Sequence, residues 1–110
     1  MSAIYADHGS EAFNARMHDV CLRIGADVEN ALGSNFVALI LGGGYGRGEG
    51  GVIRVDGVEK PYNDLDFTLL VKGKNSVPWD KLDAISEHYE AEIHIDVDFS
   101  RPLTVHDVET

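Results

Sequence analysis

Residues 42–55 read GGGYGRGEGGVIRV, and the β-prone run after the glycines decides the fold. Six of the first nine residues are glycine, in a chain that has 12. So bare a backbone suits a phosphate cradle, a dinucleotide-binding fold or a plain flexible loop. Gly46 to Gly51 matches G-x-G-x-x-G, which in a dinucleotide-binding fold opens a helix. Here Val52-Ile53-Arg54-Val55 comes next, then Asp56-Gly57, then Val58-Glu59-Lys60. Asp-Gly between two short β-prone runs predicts a hairpin, closed by Pro61. The dinucleotide fold is thereby excluded. A Walker loop is excluded too, because no Gly-Lys-Ser or Gly-Lys-Thr occurs. A tight turn whose amides face a triphosphate remains, against a flexible surface loop. Glycine permits close backbone approach and positive φ, and Arg47 could add a charged fork to a phosphate oxygen.

Upstream of the glycines, Phe36-Val37-Ala38-Leu39-Ile40-Leu41 is a continuous apolar run and reads as a buried strand. Before it, Phe13, Met17, Cys21, Ile24, Val28 and Leu32 recur at helical spacing, with Ser10 as N-cap and Gly33 as stop. Cys21 lies on that stripe and reads as core packing. Downstream of the hairpin, Asp64 to Val71 reads as a strand. Pro78 then opens a second helix with Trp79, Leu82, Ile85 and Tyr89 on one face. Ile93-His94-Ile95-Asp96-Val97-Asp98-Phe99 alternates strictly, the pattern of a half-buried strand. The order helix, strand, glycine loop, hairpin, strand, helix, strand predicts an α/β (α+β) fold, a small mixed sheet flanked by helices. Residues 1–110 read as one domain. Thr104 looks like the N-cap of a further helix, which suggests a C-terminal helical region beyond Thr110.

Hydrophobic residues make up 44% and charged residues 25%, the balance of a globular chain and not a disordered one. No apolar run approaches the roughly 20 residues of a membrane span, and the first residues lack a basic leader region. One cysteine cannot form an internal disulfide, which suits a cytoplasmic setting. Nine Lys and Arg stand against 19 Asp and Glu, for a formal charge of -10. Such a surface disfavours a broad grip on nucleic acid. A small anionic substrate is still admissible where cations and backbone amides neutralise it locally.

Asp64 and Asp66 are two apart on one strand, and Asp96 and Asp98 are two apart on the next, so each pair shares a face. Side-by-side carboxylates repel unless water or cations separate them. Mg²⁺ takes oxygen ligands of this kind and commonly shares them with substrate phosphates, and carboxylates converging from two strands can hold two ions. The plain alternative, for either pair alone, is the solvated face of a strand. His94 shares the face of Asp96 and Asp98 and is favoured as an ordinary exposed histidine. The other histidines show no metal-ligand spacing.

Leu41-Gly42-Gly43-Gly44-Tyr45-Gly46-Arg47-Gly48-Glu49, then Asn63-Asp64-Leu65-Asp66-Phe67, then Ile95-Asp96-Val97-Asp98-Phe99 together resemble the nucleotidyltransferase superfamily, the polymerase-beta-like fold. The glycine run looks most like that of bacterial protein uridylyltransferases. The resemblance covers roughly residues 36–99. It implies a metal-dependent transfer of a nucleoside monophosphate from an NTP, such as ATP, to a small-molecule or protein acceptor, with release of pyrophosphate. By position, Gly43 and Gly44 would hold the β- and γ-phosphates, with Arg47 beside them. Asp64, Asp66 and Asp96 would be the catalytic ligands of Mg²⁺ or Mn²⁺, and Asp98 could substitute for Asp96. The Asp56-Gly57 hairpin would be an insertion that lengthens the spacing between the glycines and Asp64 without moving either end. Two alternatives from other classes are a minimal nucleotidyltransferase-fold antitoxin that works with a helical partner protein, and a non-catalytic nucleotide- or metal-binding regulatory module.

Overall fold

The computed structural model describes residues 4–109 as a mixed α+β fold. Helix α1 spans Glu11–Leu32. It begins where Ser10 Oγ accepts the Phe13 amide at 3.1 Å, and it ends at Gly33, whose φ of 57° lies in the left-handed region. Its buried line runs through Phe13, Met17, Val20, Ile24, Val28 and Leu32. Cys21 is half-buried at the flank of that line, and Val20 takes the central place the periodicity gave to Cys21. Burial pushes the Cys21 thiol up to about 11, which suits a packing residue and not a reactive one.

Strand β1 spans Phe36–Gly42 and runs straight into a one-turn helix, α2, Gly43–Gly46. Strands β2, Val52–Val55, and β3, Val58–Pro61, pair with each other as a two-stranded sheet. Their turn has φ of 52° at Asp56 and 79° at Gly57, the two positive values of a type I′ hairpin. Strand β4, Leu65–Val71, is the centre of a three-stranded sheet in the order β1-β4-β5, where β5 is Val97–Phe99. It pairs antiparallel with β1 and parallel with β5. The parallel pair needs a long crossover, which α3, Trp79–Ile93, supplies. A short helix α4, Val105–Glu109, closes the described chain, with Thr104 Oγ1 accepting from the Asp107 amide at 3.3 Å.

Alternation along β4 sets the layers. Leu65, Phe67, Leu69 and Val71 are buried and form one core with α1, Leu82, Tyr89 and Ile93. Asp66 faces away and is exposed. Helices α1 and α3 are tied by the Arg23–Glu92 ion pair and by the Tyr89 hydroxyl, which donates to Asp27 at 2.5 Å. The hairpin is held to the start of α1. The Glu59 carboxylate accepts from the Ser10 amide at 2.9 Å, and Arg16 donates to the Glu59 carbonyl at 2.7 Å.

Three expectations need correction. The run 93–99 is not one strand. Helix α3 keeps Ile93 as a core residue, His94 ends it at a left-handed φ of 62°, and only Val97–Phe99 pairs. The alternation counted one helix residue, Ile93, and three connecting residues, 94–96, as strand, so His94 is an exposed helix cap. The run 36–41 is not buried on both faces. With a neighbour on one side only, β1 is a sheet edge and leaves Val37 and Ile40 exposed. Trp79 is also exposed and stands off the buried face of α3.

Gly25 sits within α1 with no heavy atom near the place of a Cβ. Gly25→Ala is therefore expected to stabilise the fold by about 0.5–1 kcal/mol, the ordinary penalty of glycine in a helix. A higher urea midpoint at unchanged m-value checks it.

Candidate functional site

Strand β1 delivers the chain to the glycine turn at the same end of the sheet as the acids. Gly42 is paired with Asp66. Gly43 then turns at φ 65°, and a Cβ there would stand 2.8 Å from Asp66 Oδ2. The Asp66 carboxylate therefore lies directly over Gly43. Gly46 packs on the β1 backbone, where a Cβ would overlap the Leu41 carbonyl. Gly50 packs under the Tyr45 ring, where a Cβ would overlap the ring carbons. These glycines are sites of close packing, which a flexible surface loop does not require. A strand, β2, comes after Gly51, in keeping with the exclusion of a dinucleotide-binding fold.

The turn is also bound to the N-terminal segment. The Asp7 backbone amide donates to the Gly48 carbonyl at 2.9 Å, and the Gly50 amide donates to the Tyr5 carbonyl at 3.0 Å. That segment is held by Asn14, a buried polar residue. Its Oδ1 accepts from the Tyr5 and Ala6 amides at 2.6 and 2.9 Å, and its Nδ2 donates to the Ala6 carbonyl at 3.0 Å. The Arg47 guanidinium is exposed, with its Nε 3.5 Å from Glu49 in a solvent-facing pair.

The parallel register of β4 and β5 sets Leu65 beside Val97 and Asp66 beside Asp98. It thereby brings Asp64, just before β4, to Asp96, just before β5. One carboxylate oxygen from each of Asp64, Asp96 and Asp98 lies within 4.8 Å of the others. Asp66 is the fourth acid, opposite Asp98 in register and over the glycine turn. No ion pair among the described residues neutralises any of the four. Burial raises the Asp98 carboxyl above the ordinary aspartate range, and the charges of Asp64, Asp96, Asp66 and Glu90 raise it further. Glu90, on α3, fixes the start of β5 by accepting the Val97 amide at 2.9 Å.

Oxygen ligands of one ion are separated by at most about twice the metal–oxygen distance, about 4.2 Å for Mg²⁺ and about 4.6–5.2 Å for Ca²⁺. The 4.8 Å bound on the three carboxylates lies within the Ca²⁺ figure and above the Mg²⁺ one, so their oxygen chemistry suits a hard divalent cation and Mg²⁺ would need them to draw closer. The cluster borders a cleft of about 350 Å³ between α3 and β5, lined by Trp79, Asp83, Ser86, Glu87 and Glu90.

The sequence pattern missed three residues that shape the site: Asn14, Tyr45 and Glu90. Each acts through hydrogen bonds to distant backbone, and none leaves a periodic signal. No helix among the described residues is long and apolar enough to cross a membrane. No family model, curated protein or solved structure matches the chain.

Proposed function

We propose that the chain is the catalytic domain of a metal-dependent nucleotidyltransferase, which moves a nucleoside monophosphate from an NTP to a hydroxyl or phosphate acceptor. The observation that carries this is the convergence of Asp64, Asp96 and Asp98 within 4.8 Å, with no ion pair to any of them among the described residues. The placement of Asp66 over Gly43 supports it, because it sets a fourth carboxylate against the glycine turn. Asp64, Asp66 and Asp96 would hold the cations, with Asp98 at the same face. Bound Mg²⁺ or Mn²⁺ would neutralise charge on the triphosphate and on the group in transit. Gly43 and Gly44 let the backbone approach the outer phosphates closely. The acceptor oxygen bonds to the α-phosphorus as the bond to the β-phosphate oxygen breaks, and pyrophosphate leaves. The acceptor's proton passes to a carboxylate of the cluster. Asp98, which stands beside Asp64 and Asp96, suits that role. The acids of the neighbouring cleft repel polyanions, so the acceptor is not a nucleic acid backbone held by charge.

The test is Mg²⁺-dependent pyrophosphate release from each NTP, in the wild type and in Asp64→Asn and Asp66→Asn. Each variant is expected to lose about a thousandfold in turnover, equivalent to about 4 kcal/mol of transition-state stabilisation. Turnover that survives both changes rules the proposal out. Calorimetry that finds Mg²⁺ binding and no NTP binding favours a non-catalytic metal-binding module instead.

A further inference from the structure

We infer that Tyr45 is a positioning residue that fixes Asp64 against the glycine turn, so that cation affinity depends on a phenol hydroxyl outside the acid cluster. The inference rests on the reading of that cluster as a cation site. Tyr45 is 1% exposed, on the one-turn helix α2. Its hydroxyl donates to the Gly51 carbonyl at 2.6 Å and accepts from the amides of Tyr62 and Asn63 at 2.8 and 3.2 Å. One donor and two acceptor positions are all that a phenol offers, and all three are used. Asn63 returns the clamp, its Oδ1 accepting from the Gly51 amide at 2.5 Å. The Tyr62 amide also reaches the Gly51 carbonyl, at 3.2 Å.

These bonds tie together the two points where the hairpin leaves the fold and returns to it. Asp64 is the next residue after Asn63. The hairpin therefore lengthens the chain between the glycine turn and Asp64 without loosening either, and the brace at its base is a side chain from the turn itself. The ring is held in place by Gly50, which has no Cβ to displace it. Burial and the nearby charge of Asp64 raise the phenol pKa, against the lowering effect of the two amides.

The experiment is a Mn²⁺ titration of the full chain, tracked through the paramagnetic resonance signal of the free ion, alongside amide hydrogen exchange. Tyr45→Phe removes the hydroxyl and keeps the ring. It is expected to weaken Mn²⁺ binding by about 10–100-fold, the usual effect of losing a residue that orients a ligand. Exchange at Tyr62 and Asn63 is expected to accelerate while α1 and β4 stay protected. Asn63→Ala removes the return clamp, leaves every ring in place, and is expected to shift affinity in the same direction by less. Asn35→Ala is the control. Asn35 braces Gly73 through two hydrogen bonds at the opposite end of β1, so its loss costs stability and leaves Mn²⁺ affinity at the wild-type value. Wild-type affinity in Tyr45→Phe, or an equal loss in Asn35→Ala, overturns the inference and leaves the cation site standing. A wild-type chain that binds no Mn²⁺ overturns both.

Discussion

Asp98→Asn is expected to raise the unfolding midpoint at pH 7 and to weaken divalent-cation binding in the same protein. In the folded chain Asp98 is partly desolvated and also feels the carboxylates of Asp64, Asp96, Asp66 and Glu90, so its pKa lies above the unfolded value. Linkage sets the sign. A folded acid with a raised pKa holds a proton that the unfolded chain has already released. The ionised form therefore destabilises the fold, by nothing below the ordinary aspartate range near pH 4, and by an amount that grows as pH rises through the folded value. Asparagine keeps the shape and removes the charge. The groups are solvent-exposed, so the gain is about 1 kcal/mol, the bulk-water energy of one like-charge pair at close range, or on the order of 5 °C in midpoint. The gain should vanish in melts at pH 3. It should also shrink at neutral pH in the presence of Mg²⁺, because the ion binds the wild type more tightly and stabilises it more than the variant. Equal midpoints at pH 7 would mean that the four acids do not share a field. A stability that rises when a functional charge is removed is the mark of a site that is strained toward its ligand.

What the sequence made legible was local. Ser10 and Gly33 bracket α1 because capping depends on residues within one turn of each end. Asp56-Gly57 announced its hairpin because a type I′ turn requires positive φ at two adjacent positions. The acids were legible as pairs, since spacing of two fixes a shared face. Their convergence was not, because it depends on the parallel register of β4 and β5 across the α3 crossover. The choice between Asp96 and Asp98 stayed open for the same reason, and both now stand beside Asp64. The alternation at 93–99 misled because a period of two cannot distinguish a strand from a helix end and a loop when the apolar residues happen to alternate. Tyr45 and Asn14 were illegible as braces. A tyrosine among glycines and an asparagine beside an apolar stripe become structural only when their distant partners are known. Tyr45 reaches amides 17 and 18 residues away.

The glycine turn yields the sharpest contrast between a built site and a plain loop. A flexible loop tolerates alanine at any of its glycines. The packed turn does not, and it ranks them. Among Gly43, Gly44 and Gly46, Gly46→Ala is expected to be the most damaging, because a Cβ there meets the Leu41 carbonyl, which belongs to strand β1 and cannot rotate away. Relief requires that β1 or α2 shift as a unit, and the expected loss is about 3 kcal/mol, the upper end for forced overpacking. Gly43→Ala is intermediate. It adds the strain of a side chain at φ 65°, about 1–2 kcal/mol, and drives the new methyl group into the Asp66 carboxylate. That carboxylate can swing aside, so Gly43→Ala is expected to impair cation or NTP binding more than folding. Gly44→Ala is the mildest, since its Cβ would sit 3.5 Å from Gly50 Cα, an ordinary contact. Urea denaturation of the three variants tests the order, and Mn²⁺ titration separates the Gly43 effect from the Gly46 effect. Three midpoints within about 0.5 kcal/mol of wild type, the range of an unconstrained surface substitution, would show that the turn is only a linker. The predicted order ties stability at Gly46 and ligand binding at Gly43 to one short stretch of backbone, where the sheet ends and the acids begin.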